Sequence, residues 1–70
     1  MDNQNKEKIL SEFGTMKLLE QDAYNFYNKA SQDSNVTDEK VRNYFRIIAD
    51  DEQHHIKLVD EIMNIVTNCL

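Results

Sequence analysis

Apolar residues recur along most of the chain at alternating steps of three and four. From Ile9 these steps give Phe13, Met16, Glu20, Ala23, Tyr27 and Ala30. From Val41 they give Phe45, Ile48, Glu52, His55, Val59, Ile62, Val66 and Cys69. Such spacing keeps side chains on one face of a 3.6-residue helix, so the pattern predicts two amphipathic helices. The one clear break is "SQDSNVTDE", residues 31–39, where Ser, Asp and Asn compete locally for backbone hydrogen bonds and favour turns and caps. Thr37 reads as the N-cap of the second helix, with Asp38 and Glu39 in its first turn and Val36 and Val41 at the positions of a hydrophobic staple. The expected elements are a helix over about 6–31, a loop over about 32–36 and a helix over about 37–68. A connection this short makes the helices antiparallel, and the single domain spans 1–70. Gly14 lies inside the first helix, where it either costs about 1 kcal/mol relative to alanine or marks a close helix crossing.

Each apolar stripe is interrupted once near its middle, by Glu20 in the first and by Glu52 with His55 in the second. Carboxylate and imidazole groups rarely go inside without a partner, so the sequence must supply compensation, and metal coordination is one form of it. His54 does not belong to this set. It lies two residues from Glu52, roughly 200° around the helix, whereas His55 lies three away and points to the same side. His54, Asp50 and Asp51 read as a solvated face. Glu-x-x-His alone is weak, because it arises by accident on many helices. Its position on an apolar stripe, with a lone Glu interrupting the facing stripe, is what points to a metal. The metal-free alternative buries the acids hydrogen-bonded to imidazole. Tyr24, Phe26, Leu18 and Leu19, with Ala49, Ile56, Met63 and Leu70 on a second seven-residue spacing, widen the apolar surface beyond one helix contact.

Composition agrees with an all-α chain, since proline is absent and Gly14 is the single glycine. Seventy residues bury little apolar surface alone, so a partner chain is expected. The net charge of −5, with eight basic residues scattered among thirteen acidic ones, speaks against nucleic acid and favours cations. No apolar run is long enough to span a membrane, and "MDNQNKEK" lacks the apolar segment of a signal peptide, so a soluble, cytoplasmic protein is expected. Cys69 is the only cysteine, which removes intrachain disulfides and Cys-x-x-Cys metal centres from consideration.

One chain offers two carboxylates and one imidazole, too few to enclose a metal pair. Two copies related by a two-fold axis would offer four carboxylates and two imidazoles inside a four-helix bundle, which is the ligand set of a di-iron carboxylate site. The four carboxylates would offset two divalent cations. Oxygen ligands with one imidazole per metal suit iron or manganese better than a thiolate-preferring metal, and zinc is also compatible.

The chain resembles the ferritin-like superfamily, in particular the first helix pair of rubrerythrin-type proteins. There a helix-one Glu is followed seven residues later by Tyr and about thirty residues later by Glu-x-x-His. Here these are Glu20, Tyr27, Glu52 and His55, within "LLEQDAYNFYNKA" and "IIADDEQHHIKLV". Rubrerythrins and ferritins carry four helices on one chain, while this sequence holds two. It therefore looks like a half-ferritin, an antiparallel hairpin that dimerises into a ferritin-like four-helix bundle. The resemblance implies two Fe per dimer, held by Glu20, Glu52 and His55, and oxidation of Fe(II) by dioxygen or peroxide as in a ferroxidase or peroxidase. It also implies that Tyr27 lies beside the metals, bonded to a ligand carboxylate or donating an electron; on its residues alone Tyr27 is equally a packed core tyrosine. No rubredoxin-like cysteine pairs are present, so peroxidase turnover would need an external electron donor. Short encapsulated ferritins share the two-helix plan, which makes an encapsulin shell a candidate partner and a nanocompartment a candidate location. The reading from another class is a non-catalytic helical-hairpin dimer, an interaction or structural module whose buried polar layer fixes register.

Overall fold

The computed structural model describes residues 2–70, which form two α-helices joined by a short turn. Helix α1 spans Asn3–Gln32 and helix α2 spans Glu39–Cys69, with no strand among the described residues. The all-helical hairpin expected from the apolar spacing is what the chain adopts, although the helix ends differ by a few residues.

Those differences trace to two aspartates. Asp2 is extended and its side chain accepts the Asn5 N–H at 2.8 Å, which starts α1 three residues before Lys6. Asp38 likewise accepts the Val41 N–H at 3.0 Å, so it, and not Thr37, is the N-cap of α2. An ionised acceptor makes the stronger bond and also meets the positive end of the helix dipole. The shift moves the staple positions from Val36 and Val41 to Thr37 and Arg42. Arg42 ties the loop instead: its guanidinium donates to the carbonyls of Val36 and Asp33. Asp33 in turn accepts the Asn35 N–H through its side chain at 2.8 Å.

The seam between the helices is rotated from the expected stripes. On α2 it runs through Phe45, Ala49, Glu52, Ile56, Val59, Met63 and Val66, and on α1 through Leu10, Phe13, Lys17, Glu20, Tyr24, Tyr27 and Ser31. Half of each expected stripe is kept. Of the rest, Met16, Val41, His55 and Ile62 turn onto one flank of the hairpin and are exposed, while Ile9, Ala23, Ala30 and Ile48 are half-buried. The sequence stripes had merged two adjacent seven-residue rows, one serving the hairpin and one left open. Across the seam Tyr27 packs on Phe45 with centroids 6.0 Å apart, and Lys17 Nζ pairs with Asp60 Oδ1 at 2.6 Å. That ion pair is partly solvated and contributes at most about 1 kcal/mol. Ser31 is buried and donates to the Asn28 carbonyl at 2.7 Å, which satisfies it within its own helix.

The molecule is a rod of 52 × 15 × 11 Å with a radius of gyration of 15.9 Å. A compact chain of this length would have a radius of about 11 Å. Its accessible surface is 5366 Å², against roughly 4,600 Å² expected for a folded monomer of this mass. Its exposed apolar residues include Phe26 and Tyr44, 66% and 65% exposed.

Gly14 is not required by the crossing. A Cβ there would meet only the terminal carbon of Met63 at 4.0 Å, an ordinary contact. Gly14→Ala should therefore raise stability by up to about 1 kcal/mol, read as a higher thermal midpoint; a lower midpoint would mean that the helices approach more closely than this.

Candidate metal centre

Glu20 lies near the middle of α1 and Glu52 near the middle of α2, both on the rows that face the seam. Antiparallel packing brings them level. His55 follows Glu52 by one turn but belongs to the row that rolls onto the open flank. Each of Glu20, Glu52 and His55 offers one ligand atom, and these atoms lie within 4.8 Å of one another. The two carboxylates are half-buried, while the imidazole side chain is 52% exposed. The cluster thus starts inside the hairpin and opens onto its apolar flank.

Two details describe its state. His55 Nδ1 stands 3.9 Å from Glu20 Oε1, too far for a hydrogen bond. It is nevertheless within the span of two donors about 2.1 Å from one shared ion, which is at most about 4.2 Å. The second oxygen, Glu20 Oε2, is buried and has no hydrogen-bond partner. A buried acceptor without a partner loses its hydration and gets nothing in return, a penalty of about 1–3 kcal/mol, so it needs a reason. The donor set of two carboxylates and one imidazole fits a divalent iron, manganese or zinc ion, and one chain leaves most of such an ion's coordination positions open.

Tyr27 sits two turns beyond Glu20, about 10 Å along the helix. Its half-buried ring meets Phe45 of α2 and stands edge-on to Phe26, with centroids 5.2 Å apart. Helical side chains lean toward the N-terminus of their helix, which for Tyr27 is the direction of Glu20. His54 points elsewhere: it lines a shallow hollow on α2 with Asp50, Gln53 and Lys57, as its position on the helix predicts. The Arg42 loop clasp and the Lys17–Asp60 pair escaped the sequence reading. Their only signal is a basic residue on an inward row, visible once the register is known.

Compared with known proteins, the chain matches no family model, no curated protein and no solved structure. Neither helix is long and apolar enough to cross a membrane among the described residues.

Removing the unpartnered carboxylate tests its cost. Glu20→Leu should stabilise the metal-free protein by roughly 1 kcal/mol, since an apolar group then fills a site whose acceptor has no donor. Denaturant unfolding in the presence of a chelator measures it, and a loss of stability would mean that Glu20 is already compensated within the protein.

Proposed function

We propose that the hairpin is half of a di-iron carboxylate centre, completed when two copies pair through the open flank, and that the pair oxidises Fe(II) with dioxygen or peroxide. The observation that carries this reading is the buried, unpartnered Glu20 Oε2 beside Glu52 and His55. The resemblance to rubrerythrin-type and half-ferritin sequences supports it, as does the acidic balance of the chain. In this reading Glu20, Glu52 and His55 of each copy would hold the metals. Two Fe(II) bound there would supply one electron each, which with two protons would convert dioxygen to hydrogen peroxide or peroxide to two waters.

The protein's own part is to fix the donors on rigid helices and to close a dry chamber around them through the second copy. Tyr27 is assigned to the same chamber, as a hydrogen-bond or electron donor beside the ligand carboxylates. Re-reduction would come from an external donor, and the setting would be the cytoplasm or an encapsulin compartment. A second reading, a structural or interaction dimer, is favoured by one observation: the open apolar flank calls for a partner whether or not metal binds. In that case the Glu20, Glu52 and His55 layer serves only to fix register.

An anaerobic Fe(II) titration of metal-free protein of known oligomeric mass separates the two. Saturation is expected at two irons per dimer, with near-ultraviolet absorbance rising on exposure to oxidant, and the faster of dioxygen and peroxide indicating ferroxidase or peroxidase. Glu52→Ala should abolish the paired binding while the helices persist by circular dichroism. Unchanged iron stoichiometry in that variant would sink the assignment, and no stoichiometric binding by the unaltered chain would leave the structural dimer.

A further inference from the structure

The apolar residues of the open flank have an internal symmetry that fixes how a second copy packs. On α2, Val41, Tyr44 and Ile48 stand at the same distances on one side of residue 53 as Ile65, Ile62 and Leu58 on the other. The positions between them, Asp51 and His55, are polar. On α1, Met16 and Leu19 stand on one side of residue 21 as Phe26 and Ala23 do on the other. The contacts across the hairpin, Tyr27 with Phe45, Lys17 with Asp60 and Gly14 with Met63, place residue 21 level with about residues 51–56. Both rows therefore have their centres at one height, which is also the height of Glu20, Glu52 and His55.

Resting on the reading above that a second copy covers this flank, we propose that the copies pair helix on like helix. Each α2 lies antiparallel along the partner's α2, and each α1 along the partner's α1, about a two-fold axis crossing the rod at right angles at that height. A face symmetric about its own midpoint is what such an axis requires, because each position n then meets the position equally far beyond the centre. Tyr44 packs on the partner's Ile62, and Ile48 on the partner's Leu58. The polar centre of one row meets the polar centre of the other, so the two ligand sets share one chamber.

The surface left exposed matches this occupant. The excess over a compact monomer is about 800 Å², the area each partner contributes to a standard interface. The other two-fold arrangement, with the axis along the rod, would set α2 against the partner's α1. The exposed large apolar residues of those rows differ in extent: on α2 they run from Val41 to Ile65, roughly 36 Å, and on α1 from Met16 to Phe26, roughly 15 Å. At the levels given by the hairpin contacts, Ile65 would then fall beside Glu12 and Val41 beside Ser31, past both ends of that exposed α1 stretch.

Cysteine cross-linking of the metal-free whole chain, carrying Cys69→Ser, tests the packing. Positions 44 and 62 are about 27 Å apart on one helix, so a disulfide between them has to join two chains. Tyr44→Cys with Ile62→Cys should give covalent dimer in most of the protein under mild oxidation, and each single variant little or none. Ile48→Cys with Leu58→Cys is the second pair, should the first lose helicity. Covalent dimer from Glu12→Cys with Ile65→Cys but from neither like-helix pair would overturn the proposal, and so would a monomer at micromolar concentration by sedimentation. Iron titration of the cross-linked protein keeps the two readings apart: cross-links without iron uphold the packing and reject the metal centre, whereas two irons per dimer with only the Glu12 cross-link do the reverse.

Discussion

Everything in this molecule follows from having two amphipathic faces per helix and only one neighbouring helix. A helix that contacts a single partner hides a stripe, and the seam from Phe45 to Val66 uses one such stripe on α2. On the adjacent row Val41, Tyr44, Leu58, Ile62 and Ile65 stay exposed. Among the described residues no large side chain is fully buried, and the buried ones are Ala49, Val59, Val66 and Ser31. A single layer of two helices has no opposite layer to pack upon, whereas stable domains have at least two. In the proposed pairing the hairpin would be the first layer of a thicker bundle, and the flank is where the second layer would go.

The placement of the acidic cluster is compatible with that setting. Glu20 and Glu52 lie on the rows that face the seam, so they cannot swing wholly into solvent without leaving the helix pair, while His55 lies on the neighbouring row that the seam leaves uncovered. In the hairpin alone the carboxylates are half-covered and one oxygen has already lost its partner. Adding a second layer over His55 would raise the cost further, because it removes the remaining water from groups of like charge. Something must then neutralise them, and a divalent cation does so with the donor types present. If such ions bound the paired fold and not the open chain, metal and assembly would stabilise each other.

Much of this was legible in the sequence, for reasons specific to particular residues. The two helices were plain because no proline and one glycine interrupt a long three-and-four spacing, and the break at residues 31–39 is dense in Ser, Asp and Asn. Glu20, Glu52 and His55 were legible because they alone break the apolar stripes, and antiparallel pairing does bring their ligand atoms together. The exposure of His55 was not legible. Alternating steps from Val41 visit two rows about 50° apart, and a sequence does not say which row faces the intrachain partner until Ala49, Ile56 and Met63 are seen to claim the seam. The N-cap was misplaced by one residue because Thr37 and Asp38 are both good caps, and the choice rests on charge and dipole, not on a pattern. The Arg42 clasp is a loop geometry that no periodicity encodes.

The polar centre also bears on specificity, whichever reading of function holds. An all-apolar row from Val41 to Ile65 could slide along its partner by a turn, about 5.4 Å, with little change in buried area. With Asp51, Glu52 and His55 at the midpoint, such a slip would drive charged groups against Leu58 and Ile48 and leave them unpaired in an apolar contact. The register in which polar centre meets polar centre is the one that avoids this. The same register gathers the ligand atoms of both copies into one volume. A structural dimer and a metal centre thus ask for identical packing from these helices, and they differ only in what occupies the middle: hydrogen bonds among acids and imidazoles in the first case, a pair of cations in the second. Because the geometry is common to both, in the proposed pairing the apolar rows would decide how the chains meet, and the chemistry of Glu20, Glu52 and His55 would decide what the meeting is for.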